Sequence, residues 1–259
     1  MSLKVTILGS GTSSGVPRIG GDWGKCDPQE PRNARTRVSI LVESETTRLL
    51  VDTSPDMRAQ LLAAGVIEID AVLWTHDHAD HTHGIDDLRQ LMHHRGTPVP
   101  GYAHPATLRR LKTRFDYCFD GRGGYRATVA EREMGEGETV IGDIAVRWVA
   151  QPHGTIFSSG FRFDHAGRSA AYATDFHEMT DEMIALYAGA DLLVIDALRE
   201  KPHPTHPNLA MSLDAIAAIR PGRAILTHMD QSMDYRTLCA SLPPGVEPGY
   251  DGLSVEIVA

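Results

Sequence analysis

The sequence predicts an α+β domain over residues 1–259, a four-layer αβ/βα sandwich in which two mixed sheets face each other and helices cover the outsides. Three observations predict it. Apolar segments of strand length fall in two batches, at about residues 4–103 and 139–258, and helical segments interrupt both. No linker or low-complexity stretch divides the batches, so the expected product is one domain of packed layers. Histidines and aspartates recur at the ends of strands in both batches, at 52, 76–81, 153, 175 and 228.

Taken in order, residues 4–8 form an apolar strand that runs into Gly9-Ser10-Gly11-Thr12-Ser13-Ser14-Gly15-Val16-Pro17. Residues 18–31 after it are rich in Gly, Pro and Asp and lack helical periodicity, so no helix N-terminus is available for a dinucleotide pyrophosphate. A tight loop near the active site is expected instead. Residues 37–43 and 48–52 read as antiparallel strands joined by the polar turn 44–47, and Asp52 closes the second. A helix over 55–64 follows, with Ser54 as N-cap, Pro55 at the first helical position and Gly65 as its stop.

Residues 71–75 make a buried strand before the histidine cluster, and a helix is expected over 85–94. A strand at 99–103 and a basic-faced helix at 105–115 precede the segment 119–125, the most loop-like of the chain and a candidate mobile flap. Further strands are expected at 139–141, 144–150, 159–163, 169–173, 192–196, 223–227 and 253–258, with helices at 180–188 and 212–219.

Composition narrows the function classes. A chain with 42% hydrophobic and 23% charged residues is ordinary for a soluble globular protein, and no apolar run approaches the ~18 residues of a membrane span. The N-terminal residues enter a strand directly, without an apolar signal region, so a cytoplasmic protein is expected. Cys26, Cys118 and Cys239 are scattered and lack C-x-x-C spacing, which favours reduced thiols. A net charge of −9 argues against DNA and against broad nucleic-acid binding. It leaves room for a small anionic substrate held by metal, because bound divalent ions reverse the local field.

The chemistry centres on His76-Asp77-His78-Ala79-Asp80-His81, a strand-to-helix loop. His76 and His78 point to one side of an extended chain, and Asp80 and His81 swing onto a second centre as the helix begins. Three imidazoles and a carboxylate in six residues suit zinc, manganese, iron or nickel better than they suit a solvated surface loop.

Asp52, H-x-H-x-D-H at 76–81, His153, Asp175 and His228 occur in the order of the metallo-β-lactamase superfamily, which the chain resembles over its whole length. The resemblance implies one metal held by His76, His78 and His153, and another held by Asp80, His81 and His228. Asp175 would bridge both, and Asp52 would orient the ligand loop. The common dizinc β-lactam hydrolases carry cysteine where Asp80 stands, whereas aspartate is expected of hydrolases of phosphodiesters, lactones and thioesters. The opening 8–17 and the closing Ile225-Leu226-Thr227-His228 resemble the branch holding ribonuclease Z and the phosphoribosyl cyclic phosphate phosphodiesterases of the carbon–phosphorus lyase pathway, and the chain length, Gly15-Val16-Pro17 and Gly249-Tyr250-Asp251-Gly252 resemble the second group. The second group fits better, since no segment is long or basic enough to be a tRNA-binding arm.

That group often holds a structural zinc with a cysteine cluster and a late histidine, and the corresponding positions here read Gly21, Trp23, Cys26 and Gln231. No structural zinc is therefore expected. Cys26 should be an ordinary surface thiol whose replacement by Ser changes stability by under about 0.5 kcal/mol.

The resemblance implies phosphodiester hydrolysis by water activated between two divalent ions, manganese or zinc first, iron or nickel next, with Asp80 catalytic through its metal. His206 resembles the family's extra active-site histidine and is the candidate proton donor to the leaving alkoxide. His203 reads as surface, and Arg199 and Lys201 are weak candidates for phosphate contact. A homodimer is implied. A lactone or ester hydrolase, a ribonuclease Z-like RNA phosphodiesterase and a non-catalytic nucleotide-sensing module stay open as alternatives.

Overall fold

The computed structural model describes residues 2–258. In chain order the strands of the N-terminal half are β1 (Ser2–Gly9), β2 (Ser39–Glu43), β3 (Arg48–Val51), β4 (Ala71–Leu73), β5 (Val99–Ala103) and β6 (Val129–Glu133). Those that follow are β7 (Glu138–Ile141), β8 (Ile144–His153), β9 (Ile156–His165), β10 (Arg168–Ala173), β11 (Leu192–Asp196), β12 (Arg223–Thr227), β13 (Val246–Pro248) and β14 (Ser254–Val258). The helices are α1 (Met57–Ala64), α2 (Ala79–Thr82), α3 (Leu88–Arg95), α4 (Pro105–Arg114), α5 (Asp116–Asp120), α6 (Asp181–Tyr187), α7 (Leu209–Ile219) and α8 (Tyr235–Ser241).

Two seven-stranded mixed sheets result, in the orders β14-β1-β2-β3-β4-β5-β6 and β13-β12-β11-β10-β9-β8-β7. In each, antiparallel pairs give way to parallel ones, at β3–β4 in the first and at β10–β11 in the second. Apolar runs without alternation explain the layering, because a strand buried on both faces has no polar side. Leu49, Val51, Ala71 and Leu73 meet Tyr172, Leu192, Val194 and Ile225 between the sheets. Their neighbours Leu50, Val72 and Trp74 turn outward under α1, α3 and α4. Ala171, Leu193, Ile195 and Leu226 turn the other way under α6, α7 and α8. A fully buried leucine such as Leu193 costs about 2–5 kcal/mol to truncate to alanine.

The four-layer expectation holds, and several boundaries move. Helix α1 starts at Met57 instead of 55, because Pro55 and Asp56 are used by a turn closed on Ser54, whose Oγ accepts from Asp56 N at 3.1 Å. Gly65 ends α1 in the left-handed region as expected, at φ 66°. Helix α7 starts at Leu209, capped by the Asn208 side chain. Five short elements, α2, α5, α8, β6 and β13, have no counterpart in the sequence reading. The proposed flap begins as the end of α5, and Phe119 is buried against Trp74, with ring centroids 6.4 Å apart. Cys26 is buried as well, 3% exposed beside the Arg35 guanidinium, which corrects its assignment to the surface. The backbone of Lys25 donates to Gln231 O at 2.8 Å, so the loop at 18–34 is fastened to the segment after β12.

Candidate metal centre

β3 runs parallel to β4, β10 to β11 and β11 to β12, and the C-terminal ends of these strands collect at one edge of the sandwich. Each apolar run stops there in a polar residue. Asp52, Asp175 and His228 take left-handed backbone at φ 64°, 59° and 57°, a conformation that costs non-glycine residues about 1–3 kcal/mol and turns the chain sharply off the strand. These side chains are thereby aimed across the edge instead of along it.

Hydrogen bonds on the far side of the ring fix the tautomers of His153, His76 and His81. His153 Nδ1 lies 2.8 Å from Thr205 O, and a carbonyl only accepts, so Nδ1 carries the proton and Nε2 presents a lone pair. Thr75 Oγ1 donates to Asp52 at 2.9 Å and so accepts from His76 Nδ1 at 3.0 Å, which leaves His76 Nε2 bare as well. Asp52 also accepts from Thr75 N at 2.8 Å and sits 2.7 Å from His81 Nδ1. Burial pushes the Asp52 carboxyl up, and the neighbouring His81 opposes that.

The bare nitrogens converge on Asp175. Its Oδ1 lies 3.8 Å from His76 Nε2 and 3.6 Å from His153 Nε2. Its Oδ2 lies 3.2 Å from His81 Nε2 and 3.7 Å from His228 Nε2. Asp80 closes the second group, 3.6 Å from each of those two nitrogens. His78 Nδ1 closes the first, 3.3 Å from His153 Nε2. Two ligand sets thus share one carboxylate: His76, His78, His153 and Asp175, and Asp80, His81, His228 and Asp175.

The residues fit metal ions. His76 Nε2, His81 Nε2 and His228 Nε2 are fully buried and have no hydrogen-bond partner, an arrangement that is costly unless a cation takes the lone pairs. Electrostatics point the same way. Burial and the neighbouring His81 push the His76 pKa well down, whereas Asp175, Asp196 and Asp80 overcome burial and raise His228 to about 9. The carboxylates around His228 favour positive charge at that end of the cluster.

His206 is brought to the same place, its ring stacked on His228 at 4.7 Å and its Nδ1 2.9 Å from Asp196 Oδ2. Asp196 has no role in the sequence reading. It is fully buried, accepts from Asp175 N at 3.1 Å, and orients His206. The signal was present, since Leu192-Leu193-Val194-Ile195-Asp196 repeats the pattern of Leu49-Leu50-Val51-Asp52. His203 is half-buried and its ring lies 5.1 Å from that of His206. Arg199 and Lys201 are not brought onto the cluster. The Arg199 guanidinium donates to Lys201 O and Pro202 O at 3.2 and 2.8 Å and braces its own loop, and Lys201 is exposed.

The Beta-lactamase superfamily domain matches residues 47–229, from the turn before β3 to just past His228. The chain belongs to that superfamily. Its fold and its clusters of histidine and aspartate fit a metal-dependent hydrolase. A crystal structure of a diphosphatase from the PhnP family is 36% identical, covers 99% of this chain and 98% of its own, and superposes with a TM-score of 0.91. Human tRNase Z, short form, at 19% identity and a TM-score of 0.73 over 99% of this chain and all of its own, shares the fold. An octanoyltransferase of Porphyromonas gingivalis is 33% identical over 98% of this chain and 52% of itself. The superfamily chain described here thus spans about half the length of that relative. Coenzyme PQQ synthesis protein B of Methylorubrum populi is 28% identical over 75% of this chain and 72% of its own.

Proposed function

We propose that this protein hydrolyses small phosphodiesters, cyclic phosphates such as phosphoribosyl 1,2-cyclic phosphate or 2′,3′-cyclic nucleotides among them, with two divalent ions held by the ligand sets above. The observation that carries the proposal is Asp175, whose two oxygens face two separate groups of imidazole nitrogens. Ions bound there supply the charge that makes water nucleophilic at neutral pH and that offsets negative charge on a reacting phosphate. Manganese or zinc suits the mixed imidazole and carboxylate donors, and iron or nickel is compatible.

The chain's own residues do the rest. Asp52, Thr75 and the Thr205 carbonyl hold His81, His76 and His153 in single tautomers, so the ligand set is organised before substrate arrives. Asp196 engages His206 Nδ1, which leaves Nε2 as the nitrogen that gives a proton to a departing alkoxide. The 36% identical diphosphatase supports chemistry at phosphorus.

The test is a panel of bis(p-nitrophenyl) phosphate, a 2′,3′-cyclic nucleotide and a homoserine lactone, each with manganese or zinc. Turnover of the phosphodiesters with little of the lactone is expected, together with two bound metals per chain. Lactone turnover alone, or a firm stoichiometry of one ion after saturation, refutes the reading.

A further inference from the structure

His76, His81 and His153 each have a partner behind the ring that fixes it. His78 has none: Nδ1 faces only His153 within the cluster, and the ring lies at the surface. Its direction therefore depends on its backbone. The preceding residue, Asp77, contributes no ligand in either set, yet it is 3% exposed. Two arginines one helical turn apart on α4 close on it. Arg110 lies 3.0 Å from Asp77 Oδ1, Arg114 lies 2.8 Å from Oδ2, and Arg114 also donates to the Asp77 carbonyl. Positions i and i+4 share a helix face, so both guanidiniums reach one carboxylate while Leu108 and Leu111 of the same helix are buried in the core.

We propose that Arg110 and Arg114 are positioning residues that act through Asp77 to hold His78 in place, so that α4 sets the metal affinity of the group His76, His78 and His153. This rests on the two-metal reading above. A carboxylate hydrogen-bonded at Oδ1 by Arg110 and ion-paired at Oδ2 with Arg114, whose guanidinium also donates to the Asp77 carbonyl, is restrained, and the peptide leading into His78 is restrained with it. Lysine at 114 keeps the charge but cannot bond carboxylate and carbonyl together.

The experiment is a stepwise manganese titration of metal-free protein, with calorimetric detection, on wild type, Asp77→Asn, Arg114→Ala, Arg114→Lys and Asp77→Asn/Arg114→Ala. Thermal unfolding in chelator is measured beside it. Partners behind metal ligands are typically worth 10–100-fold in affinity, so one of the two binding steps should weaken by about that factor in each single variant. The other step should stay, and the metal-free melting temperature should move little. The double variant should lose clearly less than the sum of the two singles, because both substitutions break the contact between Arg114 and the Asp77 carboxylate. Arg114→Lys should recover only part of the loss. Two unchanged steps in Arg114→Ala overturn the proposal, as do additive losses in the double variant. Equal weakening of both steps with a lowered metal-free melting temperature overturns it too, since that marks a merely structural role. A wild type that binds fewer than two ions refutes the two-metal reading itself, and is read before any variant.

Discussion

Replacing Arg35 by methionine should destabilise the metal-free protein by about 2–4 kcal/mol, a figure that follows from what the guanidinium touches. Arg35 is 2% exposed, donates to Met233 O at 2.6 Å and Asp230 O at 3.3 Å, and approaches Asn33 Oδ1 at 3.4 Å and Cys26 Sγ at 3.7 Å. Methionine keeps much of the volume and no donor, so two carbonyls lose a charged partner at about 1–3 kcal/mol each. Against this stands the relief of a cation whose ionised form burial disfavours, visible in its lowered pKa. At about 2–4 °C per kcal/mol for a chain of this size, the melting temperature in chelator should fall by roughly 5–15 °C. Chelator matters because bound metal adds stability by mass action and hides the change. A loss below about 1 kcal/mol in urea unfolding would show that the staple contributes nothing net. Arg35→Lys, which cannot span the same acceptors, should be at least as unstable as Arg35→Met.

Asp52→Asn should weaken metal binding or turnover by about 10–100-fold, since it replaces the charged partner 2.7 Å behind His81; unchanged metal affinity and rate would remove Asp52 from the site. His206→Ala should lower hydrolysis of a cyclic nucleotide by about 10²–10⁴-fold and hydrolysis of bis(p-nitrophenyl) phosphate far less, because nitrophenolate leaves without a proton. Equal losses with both ions retained would assign His206 to phosphate binding. Asp234 tests acid stability. Burial raises its pKa, but donors from Thr237 N, Asn33 Nδ2 and Asp27 N outweigh that and bring it to about 2. A folded-state value below the ordinary 3.8 contributes stability above that pH and loses it as pH falls toward about 2. The gap in urea midpoint between wild type and Asp234→Asn should therefore close between about pH 4 and pH 2, and a constant gap contradicts the linkage.

What could be read from the sequence was whatever is encoded locally. Continuous apolar runs such as 49–51, 71–74 and 192–195 announce strands buried on both faces, and a polar residue closing such a run announces the functional edge. Asp52, Asp175 and His228 were legible for that reason, and Asp196 carried the same signal unused. Short elements were not legible: α5 is five residues long and β13 three, too brief for any period to show.

Partnership between distant segments was decided by the tertiary structure alone. His153 takes its tautomer from Thr205, Asp77 is gripped by Arg110 and Arg114, and Arg35 joins Met233 across 198 positions of sequence. The spacing of residues along a strand or helix fixes which side chains share a face. It does not fix which face meets which, because that depends on sheet register and helix docking, both set by packing over the whole core. The sequence by itself therefore determined the donor atoms and their order, and the packed sandwich determined which of them face one carboxylate and which residues stand behind them.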